Sequence, residues 1–334
     1  MDEARYMMRA VELARRGEGH TRPNPAVGAV IVRDGVILGE GWHKKAGHDH
    51  AEAAAIKNAK RRGSDLSGAT IYVTLEPCSK PGRVGACTDA IIASGIRHVV
   101  FAIPDPNPTN RGRAKRVLAA HGITSTCWAT DRVRGLGAAE REARRACVEA
   151  ARRLIAPFQK HVTTGLPYVT VKLAMSLDGK ICDAAGDAKW ISSAASRQRT
   201  GLLREHVDAI MVGGETVRKD NPSLLSHGKP NADLVRVVVS RSGRLPKDAQ
   251  IFTDGKNPTR VYKDARTALE DLGRQGFLHV LCEGGLGLAT SLAEEGLVDE
   301  WLTVLAPLVI GTRPIGQAVR FPGADSFTLF ARPL

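Results

Sequence analysis

The chain of 334 residues is poor in aromatics, at 4%, and carries only six cysteines. So few aromatic rings leave little with which to stack nucleobases. Six cysteines over this length do not make a disulfide scaffold. No run of eighteen apolar residues occurs, so no membrane span is expected. The opening stretch, MDEARYMMRAVELARRGEGH, carries charge throughout and lacks the apolar core of an export signal. A cytoplasmic protein without structural disulfides is the expectation. Internal repeats and low-complexity tracts are also missing.

What is there fits a globular protein: 43% hydrophobic and 25% charged residues, in a length that suits two domains. The net charge of +13 suits nucleic acid, a phosphorylated small molecule, or solubility alone. Its basic residues are scattered, as in Arg61-Arg62, Arg144-Arg145 and Arg152-Arg153, rather than gathered in one tract. Together with the scarcity of aromatics, this weighs against a nucleic-acid protein.

In the first half, strand-like and helix-like segments alternate. Met7, Ala10, Val11 and Ala14 fall at helical spacing and predict an amphipathic surface helix. AVGAVIV (26–32) and VILGEGW (36–42) flank Asp34-Gly35, a hairpin turn signal. Helices are expected over 51–62, 88–95 and 114–122, and strands over 70–77 and 98–104. A charged helix over 137–156 should end at Pro157, and Gly165-Leu166-Pro167 opens a new set of strands at 168–179, 209–217, 235–240, 277–285 and 301–311. The chain thus reads as α/β, with a first domain over 1–147, a linker over 148–166 and a second domain over 167–334.

The chemistry is concentrated in two short stretches. His50-Ala51-Glu52 is followed by Pro77-Cys78 and, after a gap of eight residues, by Cys87. An imidazole and two thiolates are zinc ligands, and three protein ligands leave a fourth position open. The cysteines sit near helix starts, where the helix dipole favours thiolate. Zinc there lowers the pKa of a bound water to about 7. Glu52 is not needed as a ligand and can carry protons to a ring nitrogen and to departing ammonia. Zinc nucleobase deaminases carry His-x-Glu with Pro-Cys-x-x-Cys, from which the longer cysteine gap departs. Each residue taken alone has a plainer reading, Cys78 and Cys87 as small core residues and His50 as a surface histidine. A structural zinc is disfavoured because no fourth protein ligand stands nearby. In combination, the ordered set favours a catalytic metal.

Further motifs resemble the bifunctional deaminase/reductase family of riboflavin biosynthesis. In the first half these are Thr21-Arg22-Pro23-Asn24-Pro25, Gly41-Trp42-His43, His50-Ala51-Glu52, Thr74-Leu75-Glu76-Pro77-Cys78 and Asp105-Pro106-Asn107-Pro108. In the second they are the segment from Lys172 to Lys180, Trp190-Ile191-Ser192-Ser193, Asp220-Asn221-Pro222-Ser223-Leu224, Glu283-Gly284-Gly285 and Leu297-Val298-Asp299-Glu300. The family also has the eight-residue cysteine gap. The resemblance spans nearly the whole chain and implies a cytidine-deaminase-like domain followed by a dihydrofolate-reductase-like domain. It implies hydrolytic deamination of 2,5-diamino-6-(5-phosphoribosylamino)pyrimidin-4-one, then NADPH-dependent reduction of the ribosyl group to ribityl. His50, Cys78 and Cys87 are then the zinc ligands, Glu52 the proton carrier, and Asn24 and His43 substrate contacts. In the second half, Arg204, Leu224 and Glu283 face substrate. Ala174, Trp190, Thr216, Asp220, Gly285, Leu286, Gly287 and Thr290 contact the cofactor. A homo-oligomer is implied, with no nucleic-acid or membrane partner.

The chain departs from the family pattern at several places. Lys80 stands for a usual His, Val84-Gly85-Ala86 for Thr-Pro-Pro, and Asn110-Arg111 for small apolar residues. His227 replaces a usual substrate-binding Arg, and Ser240-Arg241 replaces Asp-Ser. These changes leave open a paralogue that uses the same or a related pyrimidine in another pathway, with an altered or impaired reductase. A tRNA adenosine deaminase relative is the rival from another class, and a zinc-stapled binding module a third. The cysteine gap and the reductase-like half oppose the former, and Glu52 has no purpose in the latter.

Overall fold

A computed structural model describes residues 3–80, 85–132, 135–186, 191–226, 233–320 and 324–331. The chain divides into two units, Met1–Thr164 and Gly165–Leu334.

The first unit runs α1 (Ala4–Arg15), β1 (Gly28–Arg33), β2 (Val36–Trp42), α2 (Ala51–Arg61), β3 (Thr70–Leu75), α3 (Cys87–Ile92), β4 (His98–Ile103), α4 (Arg113–Ala120), β5 (Thr124–Cys127) and α5 (Ala138–Thr164). Its described strands form one sheet in the order β2-β1-β3-β4-β5. β1 is antiparallel to β2 and β3, and β3, β4 and β5 are parallel. Asp34 (φ 51°) and Gly35 (φ 80°) both take positive φ, as the expected tight hairpin requires. Strand side chains alternate between two apolar layers. Val30 and Val32 join Met7, Ala10, Val11 and Ala14 of α1 and Val148, Ala151 and Ile155 of α5. Ala29 and Ile31 join Ala51, Ala55 and Ala59 of α2 and Leu118 of α4. Burial on both faces explains why these strands read as nearly unbroken apolar runs.

One close approach fixes the helix that carries the metal-site motif. A Cβ at Gly39 would stand 2.5 Å from the Ala55 carbonyl oxygen, and one at Gly41 2.4 Å from the Ala55 nitrogen. The two glycines and the alanine stripe of α2 let helix backbone rest directly on β2.

Pro157 does not end α5, which continues to Thr164. Proline costs a helix one hydrogen bond and a local clash, and buried Val148, Ala151, Leu154 and Ile155 anchor the preceding turns in the core. The segment expected as a linker over 148–166 is therefore mostly helix belonging to the first unit, and the break comes at Gly165.

The second unit contains β6 (Tyr168–Met175), α6 (Ala194–Leu203), β7 (Ala209–Gly213), α7 (Gly214–Asp220), β8 (Val235–Val239), α8 (Gln250–Thr253), β9 (Thr259–Tyr262), α9 (Ala265–Arg274), β10 (His279–Cys282), α10 (Leu286–Glu294), β11 (Glu300–Leu305), β12 (Leu308–Val309), β13 (Val319–Arg320) and β14 (Ser326–Ala331). The main sheet has the order β14-β11-β6-β10-β7-β8-β9. Its pairs are parallel except for β11 with β14. The strand expected over 209–217 stops at Gly213, and Gly214 starts a helix. Ala209 and Met211 face one apolar layer with α9 and α10, while Ile210 and Val212 face another with Val217 and Leu224. None of the described helices is long and apolar enough to cross a membrane.

Candidate zinc and reductase sites

His50 is the N-cap of α2, with extended backbone (φ −68°, ψ 163°), and Glu52 lies in the first turn. Cys87 is the first residue of α3. Cys78 follows β3, and its sulfur accepts the Cys87 backbone N–H at 3.3 Å. His50 Nδ1 stands 3.2 Å from Cys87 Sγ and 3.5 Å from Cys78 Sγ. The ligand atoms of the three residues all lie within 4.8 Å of one another. Sequence positions 28 and 37 residues apart thus converge on a space the size of one ion.

The electrostatics agree with a metal site. Hydrogen bonding from Cys87 pulls the Cys78 thiol down to about 4, against the opposing effect of burial, and His50 helps. The shared hydrogen bond and burial push Cys87 up. The two thiols share one hydrogen bond, so ionisation of one disfavours ionisation of the other. Glu52, 3% exposed, places Oε2 3.3 Å from Cys87 Sγ. Burial, and then the charge of Cys78, push its carboxyl up to about 6.

Two predicted substrate contacts stand beside this group. His43 is buried, and its ring centroid lies 5.2 Å from that of His50. Its Nδ1 is 3.0 Å from the Asp49 carbonyl oxygen, which can only accept, so Nδ1 carries the proton. Nε2 is then bare and accepts from Asn24 Nδ2 at 3.1 Å. Burial lowers the His43 pKa and favours this neutral tautomer.

In the second unit a cavity of about 630 Å³ opens at the carboxyl ends of β6, β7 and β10, with Ala174, Arg204, Thr216, Asp220, Glu283 and Gly285 in its lining. Ligands of open parallel sheets bind at such strand ends. Arg204 and Glu283 form a two-pronged pair, Nε–Oε1 at 2.7 Å and Nη2–Oε2 at 2.9 Å. Burial acts to raise the Glu283 pKa, but Arg204 prevails and holds it below the usual carboxylate range. Burial lowers the pKa of Lys172, which also lines the cavity. Thr216 Oγ1 accepts the Gly285 N–H at 3.3 Å.

The remaining predicted residues fall elsewhere. Leu224 is 3% exposed, has a left-handed backbone (φ 54°) and packs in the core with Ile210 and Val217. Leu286, Gly287 and Thr290 are exposed on α10, outside the cavity lining. Trp190 and His227 lie outside the described residues. Lys172, Cys182 and Lys219 line the cavity without having been singled out. Lys172 is part of a motif quoted above, which was the available signal.

Residues 1–103 match the family model for the cytidine and deoxycytidylate deaminase zinc-binding region, and residues 167–323 match that for the RibD C-terminal domain. The class so defined joins a zinc-binding deaminase domain to a reductase domain on one chain. Among curated relatives, riboflavin biosynthesis protein RibD of Bacillus amyloliquefaciens is 38% identical, covering 92% of this chain and 85% of its own length. RibD of Escherichia coli is 36% identical, covering 97% and 93%. A solved deaminase/reductase of Thermotoga maritima is similar with a TM-score of 0.82 at 32% identity, over 98% of each chain. Acinetobacter baumannii RibD follows with a TM-score of 0.77 at 32% identity, over 99% of this chain and 98% of its own. The chain belongs to the RibD family. Its fold is accordingly cytidine-deaminase-like and then dihydrofolate-reductase-like, as the motifs imply.

Proposed function

We propose that His50, Cys78 and Cys87 hold the zinc ion of the deaminase and that Glu52 moves the protons of the reaction. The chain is a bifunctional enzyme of riboflavin biosynthesis, a zinc-dependent deaminase and an NADPH-dependent reductase. The donor set fits zinc: one imidazole and two sulfurs meet, and no fourth protein ligand is needed at a catalytic site. When bound, zinc supplies Lewis-acid activation of water. Glu52 sits beside the ligand set without belonging to it, so Oε2 can carry two protons in turn from the attacking water, the first to the ring nitrogen as the water adds and the second to the amino group as it departs as ammonia. Such acid–base work contributes about 10²–10⁴-fold. His43, fixed as a donor-acceptor pair with Asn24, orients the pyrimidine of 2,5-diamino-6-(5-phosphoribosylamino)pyrimidin-4-one.

The cavity of the second unit fits NADPH in size and placement, and uncapped α10 begins at its rim after Gly285. NADPH, when bound, supplies hydride to the ribosyl carbon. Ala174, Thr216, Asp220 and Gly285 hold the cofactor, with Trp190, Leu286, Gly287 and Thr290 as further contacts. Arg204 and Glu283 hold the substrate. Lys and Arg around the cavity favour the phosphates of both molecules. The partner is thus a phosphoribosylated pyrimidine and not nucleic acid, handled by a cytoplasmic homo-oligomer.

The observation that carries this reading is the convergence of His50, Cys78 and Cys87 with buried Glu52 at their side. Ammonia release and NADPH oxidation, assayed separately, test it. Glu52→Gln should retain zinc and reductase turnover while deamination falls at least 100-fold; near-normal ammonia release from that variant refutes the assignment.

A further inference from the structure

The segment bearing Cys78 is a loop between β3 and α3, so its ligand geometry depends on what grips the backbone on either side. Pro77 and Ser79 are the neighbours of Cys78, and one side chain reaches both. Asn110, 7% exposed, comes from the loop after β4. Its Oδ1 accepts the Ser79 N–H at 3.0 Å and the Ser79 hydroxyl at 3.1 Å. Its Nδ2 donates to Asp105 Oδ2 at 2.8 Å and to the Pro77 carbonyl at 3.4 Å.

Asp105 is itself anchored. Its N–H donates to Glu76 Oε2 at 3.1 Å, and its Oδ1 accepts the Asn107 N–H at 2.8 Å. Glu76 also accepts the N–H groups of Gly112 and Ala114 at the start of α4, at 3.0 Å and 3.2 Å. Asn110 therefore ties the ligand-bearing loop to a buried polar network resting on a helix start. An amide suits the place because one of its ends must accept from a backbone N–H while the other donates to a carboxylate. An aliphatic side chain leaves these buried partners unsatisfied, and a carboxylate faces Asp105 with like charge.

We propose that Asn110 is a positioning residue for the zinc ligand Cys78, setting metal retention and deamination rate without touching metal or substrate. The proposal rests on the assignment of His50, Cys78 and Cys87 to zinc. Supports at this remove from a metal are worth about 10–100-fold in affinity or activity.

The test loads the full chain with zinc and follows metal release to a chromogenic chelator, with deaminase kcat and KM and reductase turnover measured on the same samples. Asn110→Leu should release zinc 10–100-fold faster and lose kcat to a similar degree, with KM within about twofold and reductase turnover unchanged. Asn110→Asp should also loosen zinc, and the double variant Asn110→Asp/Asp105→Asn, which restores one donor facing one acceptor, should recover it. Parental zinc release and kcat in Asn110→Leu overturn the proposal. Should that variant fail to fold, equal zinc release from Asn110→Asp and the double variant overturns it instead. A parent chain that binds no zinc refutes the underlying site assignment, an outcome distinct from a zinc-loaded parent matched by its variants.

Discussion

Gly41→Ala is the substitution that probes how the fold holds the metal-site helix. The new Cβ would stand 2.4 Å from the Ala55 nitrogen, 2.6 Å from the Ala51 carbonyl oxygen and 2.8 Å from the Ala54 carbonyl carbon. All three are helix backbone, so no side chain can swing aside. Ordinary contact requires α2 to retreat by roughly 1 Å, and overpacking of this kind costs about 1–3 kcal/mol. In a unit of this size that lowers Tm by about 2–10 °C. The retreat also carries His50 and Glu52 away from Cys78 and Cys87, and a misplacement of about 1 Å can cost about 10²-fold in rate. The assay is thermal unfolding with ammonia release and NADPH oxidation measured in parallel. Gly137→Ala, whose added Cβ meets nothing within 4 Å, is the control and should change neither reading. Unchanged Tm and deamination in Gly41→Ala refute the claim that backbone contact between β2 and α2 positions the site.

Two further outcomes follow from the second unit. Glu283→Gln leaves the Arg204 guanidinium, 20% exposed in its side chain, without its carboxylate. Breaking a buried pair from one side costs about 3–5 kcal/mol, and partial exposure favours the lower end. NADPH oxidation should be lost with ammonia release intact, which the paired assays read directly. His279 is held near pKa 4 by burial, below the value of about 6.5 for an unfolded chain. Between those values the unfolded chain binds a proton that the folded one does not, so stability is full above pH 6.5 and falls as pH drops toward 4. Urea unfolding from pH 7 to 4.5 should show a loss of up to about 2–3 kcal/mol from this group, and His279→Gln should flatten the slope.

Local signals carried much of the fold. Asp34-Gly35 marked its hairpin because the turn demands positive φ at both positions. The strands of the first unit stood out because burial on both faces makes them apolar throughout. β5 was missed because Thr124-Ser125-Thr126-Cys127 is a polar strand at the sheet edge, carrying no apolar run. Pro157 misled because helix propensity is local, whereas the packing of Val148, Ala151 and Ile155 that sustains α5 is not.

The candidate site divides in the same way. His50, Glu52, Cys78 and Cys87 stood out because metal chemistry restricts residue types, and His50, Glu52 and Cys87 also sit at helix starts, whereas Cys78 lies in the loop after β3. The motif that contains Leu224 gave no sign that its side chain is buried in the core. Asn110 showed only as a departure from a family pattern. Its partners lie 31 and 33 residues away in sequence, at Ser79 and Pro77, so only the folded chain reveals what it holds.

The central claim is the ligand set, and zinc-edge X-ray absorption of the loaded enzyme measures it most directly. The expected spectrum has two sulfur neighbours at about 2.3 Å and two nitrogen or oxygen neighbours at about 2.0–2.1 Å. A shell of four sulfurs, or one without sulfur, contradicts a site built from His50, Cys78 and Cys87 with one position left open.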